Sequence, residues 1–193
     1  MSTVLLTLLL AAGPVVTDPR GFQFTVPEGF EPFPGFQPTA TKLYAFGKNL
    51  GTPQALTLTV DLLEEPVTAG APSRSCGALM NSIDRTVGAP LTEPWKGLEL
   101  SGLRMVMTHI FGEVVVFCVD VPLARGGLSV MGSGKPANEA VLHDAFRALL
   151  GSVAAPEPGL GRSSGLGALV LLTLLLGVWL ARRRRFSRAP RRL

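Results

Sequence analysis

The chain has 193 residues, with 18 Lys and Arg against 14 Asp and Glu, a formal net charge of +4 and two cysteines. The charges are segregated: all 14 acidic residues lie between Asp18 and Glu157 beside ten basic ones, so that stretch is net −4 (10 − 14), and the other eight basic residues are Arg162 and the seven arginines of residues 182–193. A nucleic-acid groove needs Lys and Arg spread over a folded face, often with stacking aromatics, so this distribution excludes that class of partner.

In chain order, the first feature is the apolar run VLLTLLLAA at residues 4–12, too short to span a bilayer comfortably and followed by the break at Gly13-Pro14. It has the form of a secretory signal peptide, although its n-region has no Lys or Arg. Cleavage fits after Ala12 or after Thr17, and no Cys follows the run, which excludes a lipoprotein signal. The competing reading is an uncleaved N-terminal helix. We assign residues 1–17 to the signal and residues 18–153 to one exported domain, a size that suits a single core.

GFQFTVP alternates Phe22, Phe24 and Val26 and stops at Pro27, which predicts a first strand. EGFEPFPGFQP is too rich in Pro to be regular. KLYAFGKN predicts a second strand closed by a turn at Asn49 to Gly51. ALTLTVDLL puts Leu56, Leu58, Val60 and Leu62 on one face and Thr57, Thr59 and Asp61 on the other, a half-buried strand. The period then changes. Ser73 is placed to cap a helix in which Cys76, Leu79, Met80, Ile83 and Val87 recur at helical spacing and Gly88 ends the run. LELSGLRMVMTHI, EVVVFCVDVPLA and GLSVMGS follow as an antiparallel meander, and Val114 to Val121 is apolar on both faces, as a central strand should be. KPANEAVLHDAFRALLGS closes the domain as a helix, with Leu142, Ala145, Phe146, Leu149 and Val153 inward and Glu139, His143 and Arg147 outward. A sheet with a strand apolar on both sides needs cover on both sides. The predicted fold is therefore α+β, an antiparallel sheet with a helix packed on each face.

Residues 154–164 form a Pro/Gly/Ser linker. Residues 165–181, GLGALVLLTLLLGVWLA, carry no charge and span roughly 26 Å as a helix, close to a hydrocarbon core of about 30 Å. Trp179 sits where an indole lies at headgroup level, and Arg182, Arg183, Arg184 and Arg185 follow at once. We read one C-terminal transmembrane helix and a basic cytoplasmic tail at residues 182–193, whose expected contact is anionic lipid headgroups. A buried helix is the alternative, and four consecutive arginines argue against it. The positive-inside bias leaves the domain on the extracytoplasmic side of a bacterial inner membrane.

GFQFTVPEGF resembles the opening strand of PsbP-like and DcrB-like domains, an aromatic-x-aromatic-x-Val-Pro followed by Gly and an aromatic. The later order, a helix near residues 73–87, a meander through residue 131 and a closing helix, is similar as well, so the resemblance covers roughly residues 20–153. It implies a PsbP-like sandwich and a non-enzymatic domain that binds partners or assists assembly beside membrane complexes. PEP-type C-terminal sorting signals offer a second resemblance: Pro156-Glu157-Pro158 precede an apolar helix and a basic end. The chain departs from that pattern in the six residues between Pro158 and Gly165, which include Arg162, and in its long tail. The resemblance implies a surface protein released by processing.

The motifs of hydrolases, P-loop proteins and zincins are missing. The histidines, His109 and His143, are single, and Glu139, His143 and Arg147 at i, i+4, i+8 read as a solvated helix face. Gly132 to Lys135, GSGK, reads as a loop into the last helix rather than a phosphate loop. We expect no cofactor, no metal and no catalytic residues, with an extracytoplasmic enzyme of unknown reaction as the alternative. Cys76 on an inward helical stripe and Cys118 in the central strand are within reach of a disulfide, which would constrain the unfolded chain by roughly 4 kcal/mol in the chain-entropy account. Two separate buried thiols are the alternative. Phe30, Phe33 and Phe36 recur every three residues among prolines. They either cover a sheet edge or form a docking loop for a protein partner or the bilayer surface. The expected function is a membrane-anchored, non-catalytic binding or assembly domain.

Overall fold

The computed structural model of the protein describes residues 13–82, 86–109 and 112–155. The expected signal segment through residue 12, the linker beyond residue 155, the span at residues 165–181, the tail, and with them Trp179 and Arg182 to Arg185, lie outside these residues. Among the described residues no helix is long and apolar enough to cross a membrane.

The strands are β1 (Val15–Thr17), β2 (Gln23–Thr25), β3 (Glu31–Pro32), β4 (Lys42–Lys48), β5 (Leu56–Leu63), β6 (Thr86–Trp95), β7 (Leu98–His109), β8 (Gly112–Pro122) and β9 (Gly127–Gly134); the helices are α1 (Arg74–Ser82) and α2 (Glu139–Ser152). Seven strands form one antiparallel sheet in the order β3-β4-β5-β9-β8-β7-β6, and β1 and β2 pair separately as a hairpin. After β5 the chain passes through α1 to the far edge at β6. It then returns by a meander until β9 pairs with β5.

β8 shows why each face has its own core. Val115, Phe117, Val119 and Val121 point to one side, where Leu142, Phe146, Leu149 and Leu150 of α2 pack with Leu58, Val60, Leu128 and Val130. Val116 and Cys118 point to the other, where Cys76 of α1 packs with Met105. The period-2 alternation of a strand apolar on both faces thus places α1 and α2 on opposite faces, as expected. On the α2 side two glycines of β9 let the helix come close. A Cβ at Gly132 would stand 3.3 Å from Leu142 and 3.4 Å from Phe146. The expected GSGK loop is therefore corrected: Gly132 to Gly134 end β9 beneath α2.

The N-terminal hairpin completes the α2 face. Phe22 and Phe24 pack with Tyr44 and Phe46 at centroid distances of 5.3–6.5 Å. Buried Asp18 accepts the Tyr44 hydroxyl at 2.8 Å, and burial with this bond pushes the phenol up to about 12. Gln23 and Ala154 exchange backbone bonds of 2.8 and 2.7 Å, which fasten the hairpin to the end of α2. Residues 13–17 therefore belong to the folded domain: Val15–Thr17 is a strand, and Val26 donates to the Pro14 carbonyl at 3.0 Å. A cut after Thr17 would remove that strand, whereas a cut after Ala12 leaves it in place.

The first helix is shorter than its apolar period suggests. Val87 and Gly88, expected to end it, lie in β6, and a Cβ at Gly88 would meet Met80 Sδ at 2.6 Å. β6 itself escaped the sequence reading because Pro90 and Pro94 argue against a strand. It is an edge strand, the place in a sheet where proline is tolerated, and its two prolines also blunt the open edge. Lys96 and Gly97, both at positive φ, make the two-residue turn into β7.

Candidate functional site

The α1 face is only half covered. α1 has nine residues, so it is roughly 13 Å long, whereas seven strands span about 29 Å across the sheet. The route from β5 to β6 lays the helix over β6, β7 and β8. Among the described residues nothing equivalent to the N-terminal hairpin lies over β4, β5 and β9. The result is a groove of about 600 Å³. Thr57, Thr59 and Asp61 of β5 and Ser129 and Met131 of β9 make its floor, Leu79 of α1 is one wall, and Phe33 and Phe36 are the other.

The aromatic wall arises where the Phe/Pro loop crosses the sheet edge. Glu31 and Pro32 pair with Gly47 and Phe46, and Phe33 then donates to the Ala45 carbonyl at 2.9 Å. Phe30, before this anchor, enters the α2-side core at 5 % exposure. Phe33, after it, is 39 % exposed and lies on the opposite face. The expected docking loop is thus corrected for Phe30, which is a core residue with Lys48 Nζ 5.9 Å from its ring. A three-residue spacing in an irregular segment does not keep side chains together, because each turn redirects the chain.

The groove's other wall is held by the Cys76–Cys118 disulfide, with Cα atoms 5.7 Å apart. This settles the open alternative in favour of the bridge. Ser73 caps α1 as expected, accepting from the Cys76 N–H at 3.1 Å. What the sequence did not signal is the group beneath the cap. Asp120 of β8, 6 % exposed, accepts hydrogen bonds from the hydroxyls of Ser73 (2.7 Å) and Ser75, and Ser75 and Ser129 are 2.9 Å apart. The cluster faces a second cleft of about 620 Å³ that shares Thr41, Leu62, Leu63 and Ser75 with the groove and adds Glu64, Glu65 and Arg74. Cys76, Cys118 and Asp120 also converge within 4.8 Å, the one set of metal-ligand types gathered among the described residues. The two sulfurs are bonded to each other, so neither is a thiolate, and the set does not fit a metal. Among the described side chains no histidine stands beside the Ser75–Asp120 pair, and His143 lies across the sheet. Its evident work is to seat α1.

Two groups on the groove floor lack a hydrogen-bond partner among the described residues. Thr59 Oγ1 is buried without a hydrogen-bond partner. Asp61, two residues on along the same face, is half-buried and has no hydrogen bond or ion pair among the described residues. Burial holds its carboxyl above the usual range, opposed only by the charge of Lys42.

The opposite face shows the contrast. Glu139, His143 and Arg147, expected as a solvated stripe, are bound to the sheet. Buried Glu93 of β6 takes His143 Nε2 at 2.6 Å and Arg147 Nε at 2.7 Å, and Arg104 of β7 grips Glu139 with two bonds of 2.6 and 2.7 Å. His143 also stacks on Phe117 at 4.5 Å. The bond from Arg104 holds the Glu139 carboxyl below its ordinary range. The i, i+4 spacing identified a helix face, but not that a strand with charged partners lies under its margin. His109 lies at the end of β7.

No family model matches the chain, and no curated protein sequence matches it. Among solved structures it is similar to the solution structure of cyanobacterial PsbP (CyanoP) from Synechocystis sp. PCC 6803, at 12 % identity and a TM-score of 0.49, with 78 % of this chain and 96 % of that one covered. It is also similar to a crystal structure from Bacteroides thetaiotaomicron VPI-5482, at 9 % identity and a TM-score of 0.48, with 77 % of this chain covered; it spans 50 % of that chain's length. The first of these is a PsbP protein, one of the families that the opening motif resembles.

Proposed function

We propose that the chain is a membrane-anchored, extracytoplasmic, non-catalytic binding domain of bacterial type, and that the half-open α1 face is where it receives a protein partner. The observation that carries this reading is the groove between Phe33, Phe36 and Leu79, an apolar-walled strip of sheet that no element among the described residues covers. The Cys76–Cys118 disulfide supports an oxidising compartment. The apolar run at residues 4–12, the uncharged stretch at residues 165–181 and the arginines that follow support export and a single C-terminal anchor, with the tail against anionic lipid headgroups.

The test combines location with contact. Membranes are washed at alkaline pH and treated with protease from the outside, and a photo-crosslinking residue is placed at Phe33 or, on the opposite face, at exposed Val141. The chain should stay in the membrane fraction, be cut from the outside, and give a defined adduct from position 33 alone. A soluble cytosolic pool, or equal adducts from both faces, overturns the reading. Mass spectrometry of the mature chain decides between an anchored and a released protein: loss of the residues after 164 would mark processing.

A further inference from the structure

The floor of the groove carries chemistry that a purely apolar partner would leave unmet. Strand β5 turns Leu56, Leu58 and Val60 to the α2 core and presents Thr57, Thr59 and Asp61 to the groove. Thr57 is satisfied by Ser133 at 2.5 Å. The next two positions are not. Thr59 Oγ1 is buried without a partner, and the Asp61 carboxylate has only Lys42 near it in charge. Buried polar groups in folded proteins are nearly always paired, and among the described residues Thr59 Oγ1 is the buried side-chain atom that is not; the half-buried Asp61 carboxylate beside it has no hydrogen bond or ion pair, so the two together suit a cationic donor from outside the domain. They stand about 6.8 Å apart along the strand, within reach of one forked or multiply protonated cation and the chain that carries it. The charge around them has the matching sign. Groove and adjoining cleft hold Asp61, Glu64, Glu65 and Asp120 against Lys42 and Arg74.

We infer that the groove takes an apolar peptide segment bearing a Lys or Arg, whose cation sits on Asp61 and donates to Thr59 Oγ1 while its apolar neighbours pack between Phe33, Phe36 and Leu79. This rests on the docking reading of the groove and gives it a partner chemistry. The cation neutralises a carboxylate that burial disfavours, so the interaction that the free domain lacks is formed only in the complex.

The test uses the full chain in nanodiscs of zwitterionic lipid, with empty discs as blank, and three labelled peptides: acetyl-LKLKL-amide, acetyl-LQLQL-amide and acetyl-LELEL-amide. The Lys peptide should bind about tenfold more tightly than the Gln peptide, the size expected of one partly desolvated charge pair, and the Glu peptide weakest. Asp61→Asn should abolish the Lys preference and leave the Gln peptide's affinity unchanged, whereas Glu99→Gln, an exposed acid elsewhere, should alter neither. Phe33→Ala should weaken all three. Equal binding of the three peptides, still lost on Phe33→Ala, overturns the cation site and leaves the docking groove standing. A Lys preference that survives Asp61→Asn also overturns the site, because overall acidity then suffices. Absence of binding by any peptide, or binding indifferent to Phe33→Ala, overturns both.

Discussion

The two faces of the sheet are built from the same strands and finished differently. On the α2 face a fourteen-residue helix and the β1-β2 hairpin together cover the sheet, and the charged margin of the helix is tied down by Glu93 and Arg104. On the α1 face a nine-residue helix covers one half, relies on a disulfide and a buried Asp–Ser cap for its seat, and leaves the other half to two phenylalanines. The first face is satisfied and should carry most of the stability. The second carries an orphaned hydroxyl and a half-buried carboxylate, the kind of uncompensated cost that folded domains keep where another molecule is to be met.

Substitutions can break or sharpen this contrast. The largest effect is expected in the α2 core. Phe146→Ala should cost about 4 kcal/mol, because the ring is fully buried against Phe117 and Gly132 and its neighbours have little room to collapse; urea unfolding measures it. Replacing both Cys76 and Cys118 by Ala should cost up to about 4 kcal/mol through the unfolded chain. Hydrogen exchange should then show α1 amides losing protection before those of α2. If both helices lose protection together, the two faces are not independent. Glu93→Gln should cost about 2 kcal/mol, since it leaves His143 and Arg147 with a weaker partner but still partly solvated. Phe30→Ala should destabilise by about 3 kcal/mol and Phe33→Ala by about 0.5 kcal/mol or less, which separates the two ends of the Phe/Pro loop.

The smallest effect has the opposite sign. Asp61 is held above its unfolded value by burial, so its contribution is most favourable below the unfolded carboxylate range and is lost as pH rises through the folded value. Asp61→Asn should therefore raise the urea midpoint at about pH 7 and leave it nearly unchanged at about pH 3. Glu139 runs the other way: held low by Arg104, it stabilises the fold above its unfolded value and loses that contribution as pH falls through the folded one. Glu139→Gln should lower the midpoint at about pH 7 and matter little at about pH 3.

Much of the α2 side was legible from residue order. The alternation of Phe22, Phe24 and Val26, the leucines of β5, the two-sided apolarity of β8 and the stripe of Leu142, Phe146 and Leu149 each report local periodicity, and burial follows them. The reading failed where the next element in space is far along the chain. β6 was hidden by Pro90 and Pro94, which are compatible with a strand only because the topology makes it an edge. Glu93 carries no mark of its depth in the sequence, and the outward face of α2 reads as solvated because i, i+4 spacing describes a helix and not what lies beside it.

Residue order and composition suffice to show that the domain is acidic, that its sheet must be covered on both sides, and that two cysteines lie on inward positions of a helix and a strand. These are properties of single elements, written in period and composition. Only the tertiary structure decided that Cys76 and Cys118 are bonded, that Phe30 and Phe33 part company at the sheet edge, and that α1 stops short and leaves Thr59 and Asp61 at the floor of a groove. The physical reason is that periodicity tells a side chain which way to face. What it meets there is set by strand order and by the length of the helix laid across the sheet.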